Sequence, residues 1–364
     1  MSLLHLIALT KISGVGPVIA RHLLDYFPDA SAIFSAPKKE LLAIPKVGNR
    51  LATAVMDTRA LREAEQELLF IEKHRIQTLF WNTPQYPKRL ADCTDAPLLL
   101  YYKGKADLNA PRIISIVGTR NATAYGKSIC SKFISELQPY AVSIVSGLAY
   151  GIDSYAHRNA LTHHLPTIGV LGHGLDRIYP AANREMAARM IDQGGLLTEF
   201  SSGTIPDKQN FPMRNRIIAG LADVTIVVEA AVKGGALITA EIANMYNRDV
   251  CAFPGNVDQE FSSGCNYLIK TNRAHLITGA KDLAYLMNWE IEQPSIQPKQ
   301  LPLPISLNKM EQQIYDTIHA AGQIAIDDLS RQLQCPQSKL AVTLLEMEIN
   351  GILTVLPGKV YRTV

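Results

Sequence analysis

At 364 residues the chain is long enough for two or three domains, and its 47% apolar and 19% charged residues are ordinary for a globular protein. No apolar run reaches the length of a membrane span and the first residues do not resemble a signal peptide, so we expect a cytoplasmic protein with no membrane partner. The five scattered cysteines form no CxxC pair, which argues against disulfides and a structural zinc. A net charge of +3 is too small to indicate nucleic acid, so that case depends on local clusters of basic residues.

The first part of the chain, residues 1–80, contains an internal repeat. The runs ISGVGP (12–17) and IPKVGN (44–49) are each followed by an apolar helical pattern. This is typical of helix-hairpin-helix units and predicts an N-terminal helical, SAM-like domain, although the second copy has Lys46 where the first has Gly14. Two interpretations stay open: the hairpins hold a DNA backbone non-specifically, or they form a helical bundle that serves as a spacer. The bundle is favoured because few basic residues surround the hairpins.

A continuous β-branched run, RIISIVGTR at residues 112–120, predicts a strand that is buried on both faces of a parallel sheet. Further strands alternate with helical segments, which predicts an α/β, Rossmann-like, doubly wound parallel sheet over residues 81–290. In such sheets ligands bind beyond the carboxyl ends of the strands, where the strand order reverses. We therefore expect a binding site built from the segments that follow six strands: VGTR, SGLAYGID, LGHGLDRIYP, TEFSSG, EAAVKGGALITAE and FPGN.

The C-terminal part begins with a linker that is rich in Pro and Gln, predicted over residues 291–306. Three helical patterns and a hairpin-like segment then predict a winged-helix domain over residues 307–364. The third helix would enter a DNA groove, yet it carries Glu346 and Glu348 and one lysine. A reader of duplex DNA needs positive charge there, so a contact with protein is favoured over duplex binding.

The segment TIPDKQNFPMRNRI, residues 204–217, gathers basic side chains around an aromatic one: Lys208, Phe211, Arg214 and Arg216. Cations that bind phosphates and a ring that stacks on bases suit single-stranded nucleic acid. In the alternative interpretation Phe211 fills the core and the arginines form surface ion pairs. The spacing alone does not separate the two.

Signals for catalysis are weak. His157 has no neighbouring carboxylates at a metal-binding spacing, so we expect it to cap a helix or pack against the sheet. Walker A, GxSxG and GxGxxG motifs are absent, so no cofactor is expected. The run KGGALITAE, residues 233–241, resembles the PGGxGTxxE loop of cytokinin-activating phosphoribohydrolases, but only its two glycines and Glu241 align. A nucleoside-monophosphate phosphoribohydrolase that uses Glu241 with Arg120 is the alternative function.

As an ordered series, the motifs of the central domain resemble the bacterial DNA-processing protein DprA (Smf) family. They run with gaps from Val117 to Ile269 and comprise VGTR, SGLAYGIDSYAH, GHGLDRIYPAAN, FPMRNRIIAGLADVTIVVEA, GGALITAE and FPGNVDQEFSSGCNYLI. The resemblance implies a non-catalytic homodimer that binds single-stranded DNA and loads the RecA recombinase on it during natural transformation. The helical and winged-helix domains fit the three-domain members of that family.

The same resemblance implies the DNA-binding residues, with Tyr179 and Asn183 as further candidates: Gly118, Thr119, Arg120, Gly147, Lys208, Phe211, Arg214, Asn215 and Arg216. In this scheme Arg120 bonds phosphate oxygens, Lys208 adds charge and Phe211 stacks on an unpaired base.

On a helix Arg214 and Arg216 point about 160° apart. We therefore expect one of them to contact DNA and the other to pair with an internal carboxylate, such as Glu199 or Glu229.

Overall fold

The computed structural model describes residues 2–289, 307–356 and 359–363. The predicted linker at 291–306 lies outside the described residues. The chain divides into two compact units, Met1–Ile291 and Glu292–Val364. Among the described residues, every helix is too short or too polar to cross a bilayer.

The first unit begins with six helices, and the predicted repeat is visible in their hairpins. Gly14 and Lys46 both adopt the left-handed conformation, with φ of +86° and +68°. In each hairpin the next residue's N–H bonds back to the carbonyl of Ile12 or Ile44, at 3.0 and 3.1 Å. The helices are α1 Leu3–Lys11, α2 Pro17–Tyr26, α3 Ala30–Ser35, α4 Lys38–Ala43, α5 Asn49–Val55 and α6 Arg59–His74.

A nine-stranded sheet follows, in the order β1-β2-β6-β5-β4-β3-β7-β8-β9. Strands β3 to β9 pair in parallel, whereas β2 lies antiparallel to β6 and β1 antiparallel to β2. The antiparallel pair and the short strand β9 extend the predicted parallel sheet at its two edges. The strands are β1 Gln77–Phe80, β2 Leu99–Gly104, β3 Ile113–Val117, β4 Ser143–Ser146, β5 Thr167–Val170, β6 Gly195–Thr198, β7 Val224–Val227, β8 Asp249–Ala252 and β9 His275–Leu276.

Helices cover both faces of this sheet, so the predicted doubly wound, Rossmann-like fold is confirmed. Within β3, Ile114 and Ile116 pack into the core on one face, while Ile113 and Val117 pack into the core on the other. The alternation follows from the two-residue period of a strand, and both sets are apolar because both faces are covered. The helices are α7 Lys88–Ala91, α8 Ala124–Glu136, α9 Ile152–Thr162, α10 Arg184–Gln193, α11 Asn210–Leu221, α12 Gly235–Met245, α13 Glu260–Lys270 and α14 Ala280–Leu286.

The second unit has the predicted winged-helix composition of three helices and a small sheet. Its strands pair in the order β10-β12-β11, and its core is apolar and centred on Ile314, Leu329 and Leu344. The elements are α15 Lys309–Ala321, β10 Ile324–Ala325, α16 Ile326–Gln332, α17 Gln337–Ile349, β11 Leu353–Leu356 and β12 Val360–Thr363.

Candidate nucleic-acid interface

The strand order reverses around β3, which has β4 on one side and β7 on the other. After β3 the chain adds β4, β5 and β6 one after another on one side of β3. It then crosses back and places β7 on the other side of β3. A parallel sheet opens a crevice beyond the carboxyl ends of the strands at such a point. A cavity of about 560 Å³ lies there, between the segments that follow β3 and β7 and the first turns of α11. We call it the switch-point cavity.

In this cavity the cationic side chain of Arg120 lies over the aromatic ring of Phe211. The guanidinium carbon of Arg120 lies 5.2 Å from the ring centroid of Phe211. Tyr179 also lies against the ring, stacked at 6.3 Å between centroids with 29° between the planes. A Cβ at Gly172 would stand 3.1 Å from Cδ1 of Phe211, so the backbone of the preceding loop also supports the ring. Phe211 is thus half-buried: Tyr179 and the backbone at Gly172 pack against its ring, and the exposed guanidinium of Arg120 lies over it.

Two exposed lysines also line the cavity, Lys208 before α11 and Lys233 before α12. Among the described residues, no carboxylate lies within ion-pair distance of either lysine or of Arg120. Their charges are therefore available to an anion. Lys233 is not among the residues predicted from the sequence, although its place after the VTIVVEA strand puts it at the same edge as Arg120.

The structure places Arg214 beneath the ring and buries it. Its guanidinium carbon lies 6.0 Å from the Phe211 centroid, its Nη1 lies 3.9 Å from Oδ2 of Asp153, and only 4% of the residue is exposed. Burial lowers the pKa of Arg214 to about 10, although the negative charge of Asp153 opposes part of this shift. The guanidinium therefore stays charged at neutral pH, and the carboxylate of Asp153, which also lines the cavity, offsets its charge there.

Arg216, predicted above as a DNA-binding residue, lies outside the cavity. Its two terminal nitrogens donate to the carboxylate of Glu199 and to the carbonyl oxygen of Asp95. Both arginines thus pair with internal carboxylates, Arg214 with Asp153 and Arg216 with Glu199, and of the two only Arg214 lines the switch-point cavity. The cause is helical geometry, because two residues turn the side chain to the opposite side of α11.

The two predicted glycines make room for protein atoms rather than for a ligand. A Cβ at Gly118 would come within 2.5 Å of Ile152, and one at Gly147 within 1.3 Å of Arg214. Gly118 lines the switch-point cavity, while Gly147 lines a smaller neighbouring one. Their contribution is therefore to the close packing of the loops that form the rim.

Thr119 and Asn215 also tie the rim together through the backbone. The Thr119 N–H donates to the Glu229 carbonyl at 2.7 Å, and its own carbonyl accepts from the Ile152 N–H at 3.1 Å. The side-chain amide of Asn215 donates to the Gly235 carbonyl at 3.3 Å. Both residues line the cavity, and each fixes a neighbouring loop relative to it.

Two further candidates have internal roles. The Asn183 amide is buried and donates to the Leu148 carbonyl and the Ser154 hydroxyl at 2.8 and 2.9 Å. His157 is fully buried, and its Nδ1 lies 2.7 Å from the hydroxyl oxygen of Thr167 on β5, as expected for a histidine that packs against the sheet.

The carboxylate that the alternative function needs lies elsewhere. Glu241 is exposed on α12, pairs with Arg273 at 3.3 Å and does not line the switch-point cavity. Within the described parts of the chain, no group of three or more His, Cys, Asp or Glu residues is placed to hold a metal ion.

Three family models match the sequence. Residues 77–288 match the family described as DNA recombination-mediator protein A, residues 6–60 a SAM-like helix-hairpin-helix tandem, and residues 297–359 the DprA winged helix domain. The central match covers the whole sheet and the switch-point cavity.

Individual relatives agree with these matches. Protein Smf of Synechocystis sp. is 37% identical over 284 residues, which cover 76% of this chain and 70% of the relative. The X-ray structure of DNA processing protein A from Streptococcus pneumoniae is 34% identical, with a TM-score of 0.69, over 80% of this chain and 99% of that one. DNA processing protein A from Helicobacter pylori, whose structure was described for its single-stranded DNA binding mode, is 29% identical, with a TM-score of 0.54, over 59% and 98%.

Proposed function

This chain belongs to the DNA recombination-mediator protein A family, and on that premise we propose that it binds single-stranded DNA in the switch-point cavity and loads the RecA recombinase on the bound strand. The observation that carries the DNA-binding part is the exposed guanidinium of Arg120 above the ring of Phe211, at the topological switch point. A cation next to a half-buried aromatic ring offers one phosphate contact and one stacking surface to a nucleotide.

The proposed ligand is a single strand because stacking on Phe211 requires an unpaired base. In a duplex the base faces are covered by neighbouring base pairs, so the ring would have nothing to stack on. Phosphates and base faces are common to all nucleotides, and binding should therefore show little sequence preference. Lys208 and Lys233 would extend the phosphate contacts along the cavity.

The remaining parts of the proposal follow from the family. We propose that the protein acts as a homodimer in natural transformation, with no catalytic step of its own. A site on each protomer would raise the affinity for long strands through effective concentration. The C-terminal unit is proposed to contact a protein, because α17 carries Glu346 and Glu348 where a duplex reader needs cations.

The phosphoribohydrolase alternative finds little support. Such an enzyme needs its carboxylate in the cavity with Arg120, and Glu241 is instead on the exposed side of α12 in an ion pair with Arg273. Release of base from nucleoside monophosphates by the wild type, abolished in Glu241→Gln, would contradict this conclusion.

Binding of a fluorescent oligo-dT and of a duplex of equal length, each across a salt series, tests the DNA-binding proposal. We expect the single strand to be preferred. Arg120→Ala should weaken binding and make the negative slope of log K against log[salt] shallower by about 0.7, as for one lost phosphate contact. Arg273→Ala removes an exposed guanidinium outside the cavity and should leave both quantities unchanged. Equal binding of both DNA forms, or identical effects of the two substitutions, would refute the assignment.

RecA loading is tested separately by the rate at which RecA filaments nucleate on single-stranded DNA. The wild type should accelerate nucleation and Arg120→Ala should do so less, because loading requires the protein on the strand. Acceleration that is unaffected by the loss of DNA binding would show that the cavity is not used for loading.

A further inference from the structure

A second groove opens beside the switch-point cavity and shares Arg120 with it. It has a volume of about 490 Å³ and is lined by the segment 120–122, by Tyr150 and Gly151 after β4, by Lys127 of α8 and by Tyr155 of α9. Arg120 lines both spaces. We call this second space the α8–α9 groove. The two helices that contribute to it, α8 and α9, pack against each other.

The groove combines cations with aromatic rings. Lys127 Nζ lies 5.3 Å from the centroid of the Tyr155 ring. The exposed Arg158 does not line the groove itself, but its guanidinium carbon lies 5.6 Å from the same centroid. Tyr150, which also lines the smaller cavity next to Gly147, is 51% exposed.

None of the described residues that line the groove is acidic. Within the described chain, moreover, no carboxylate lies within ion-pair distance of Lys127 or Arg158. The groove thus shares two features with the cavity: cations that have no carboxylate within ion-pair distance, and an aromatic ring beside one of them.

A competing path leaves the cavity on the other side, past Phe261. The space there measures about 630 Å³ and is lined by Tyr125, Asn256, Gln259 and the buried carboxylate of Glu229, with no basic residue among the described residues that line it. A polyanion that leaves the cavity meets cations in one direction and a carboxylate in the other. Electrostatic attraction therefore favours the α8–α9 groove.

We propose that a single strand longer than the switch-point cavity continues past Arg120 into the α8–α9 groove. Lys127 and Arg158 contact its phosphates there, and Tyr150 stacks on a base next to the one on Phe211. This inference rests on the proposed function and adds to it the path of the strand. It makes Arg120 the residue between two consecutive subsites.

The test compares the affinities of a short and a long oligo-dT, of about 4 and about 15 nucleotides, for each variant. The double variant Lys127→Gln, Arg158→Gln should bind the short strand as the wild type does, within about twofold. It should lose most of the gain in affinity on lengthening, and the negative slope of log K against log[salt] should become shallower by about 1.4, since two phosphate contacts are removed. Tyr150→Ala should weaken binding of the long strand by about fivefold or more at an unchanged slope.

Matched controls separate the groove from general charge and from the competing path. Lys270→Gln with Lys281→Gln removes two exposed charges that line none of the cavities described above, and Tyr125→Ala removes the exposed ring of the competing path. Both should keep the wild-type gain with length. Loss of that gain in Tyr125→Ala, or its retention in the Lys127, Arg158 variant, would overturn the inference.

A measurement on the unsubstituted protein guards against variants that misfold. Photocrosslinking of a long oligo-dT that carries iodouridine along its length should label Tyr150 and not Tyr125. Crosslinking at Tyr125 alone would overturn the proposed path. If the wild type binds neither oligonucleotide, the proposed function itself fails, whereas binding with a length gain that the double variant keeps refutes only the path.

Discussion

A Cβ atom at position 147 would stand 1.3 Å from Nη1 of Arg214, so the buried guanidinium occupies the space that any other side chain at Gly147 would need. Asp153 completes this arrangement, because it accepts the Gly147 N–H at 3.2 Å and lies 3.9 Å from Arg214. The loop after β4 and the helix α11 are thereby held together beneath Phe211, which lies one turn before Arg214. The stacking surface is positioned by a buried ion pair that depends on a glycine.

We predict that Gly147→Ala destabilises the protein and weakens DNA binding together. The added methyl group displaces Arg214 from Asp153, and overpacking of this kind costs about 1–3 kcal/mol of unfolding free energy. Urea unfolding and oligo-dT binding measure the two effects. Gly48→Ala is the control, because a Cβ there meets open space. Gly48 is the N-cap of α5, where alanine is somewhat less favourable than glycine, so this change should cost less than about 1 kcal/mol of unfolding free energy and leave binding unchanged. Normal DNA binding by Gly147→Ala would show that the side chain of Arg214 can move without displacing Phe211.

A second prediction concerns the coupling between Arg120 and Phe211. Since the guanidinium lies over the ring, Phe211→Ala removes both a stacking surface and a support for Arg120. A double-mutant cycle on oligo-dT affinity should therefore be non-additive by about 0.5–1 kcal/mol, with the double variant better than the sum of the single losses. Phe211→Ala alone should weaken binding by about 1–3 kcal/mol. Strict additivity would indicate that the two side chains contact DNA independently.

The position of the cavity was predictable because it follows from topology. A continuous apolar β3 with a Gly-Thr-Arg end marks a buried central strand, and ligands bind beyond such ends. The choice between Arg214 and Arg216 was not predictable. Helical spacing shows that they point apart, but which of them turns to the cavity depends on how α11 packs against the sheet and on the position of Glu199, directly after β6.

The edges of the sheet and part of the basic rim were also beyond local patterns. Strand β1 has four residues and only one buried side chain, and its place is set by pairing with β2 rather than by its own sequence. In the sequence, Lys233 stands where the PGGxGTxxE motif has proline, so it was interpreted as a departure from that motif and not as a binding residue. Its proximity to Arg120 arises only once β3 and β7 are neighbours.

The second hairpin of the N-terminal helices supplies a third prediction. Lys46 holds a left-handed φ of +68°, the conformation that Gly14 supplies in the first hairpin. A side chain costs about 1–2 kcal/mol in that region, and the extra freedom of an unfolded glycine offsets part of the gain. We expect Lys46→Gly to stabilise the protein by about 0.5–1 kcal/mol in urea unfolding and to leave oligo-dT binding unchanged. A clear loss of binding would instead favour the interpretation in which the hairpins hold the DNA backbone.

The last prediction concerns acid stability and His157. Burial, with the nearby charge of Arg214, lowers the pKa of His157 from 6.5 to about 3. Below about pH 6.5 the histidine of the unfolded chain takes up a proton, whereas His157 in the folded protein does not. The contribution of His157 to the free energy of unfolding is therefore complete above that pH and is lost as the pH falls toward 3. Between about pH 7 and pH 5 the advantage of the wild type over His157→Gln should shrink by about 2 kcal/mol. Urea unfolding of both proteins at several pH values measures it, and a constant difference would mean that His157 has the same pKa in the folded protein as in the unfolded chain.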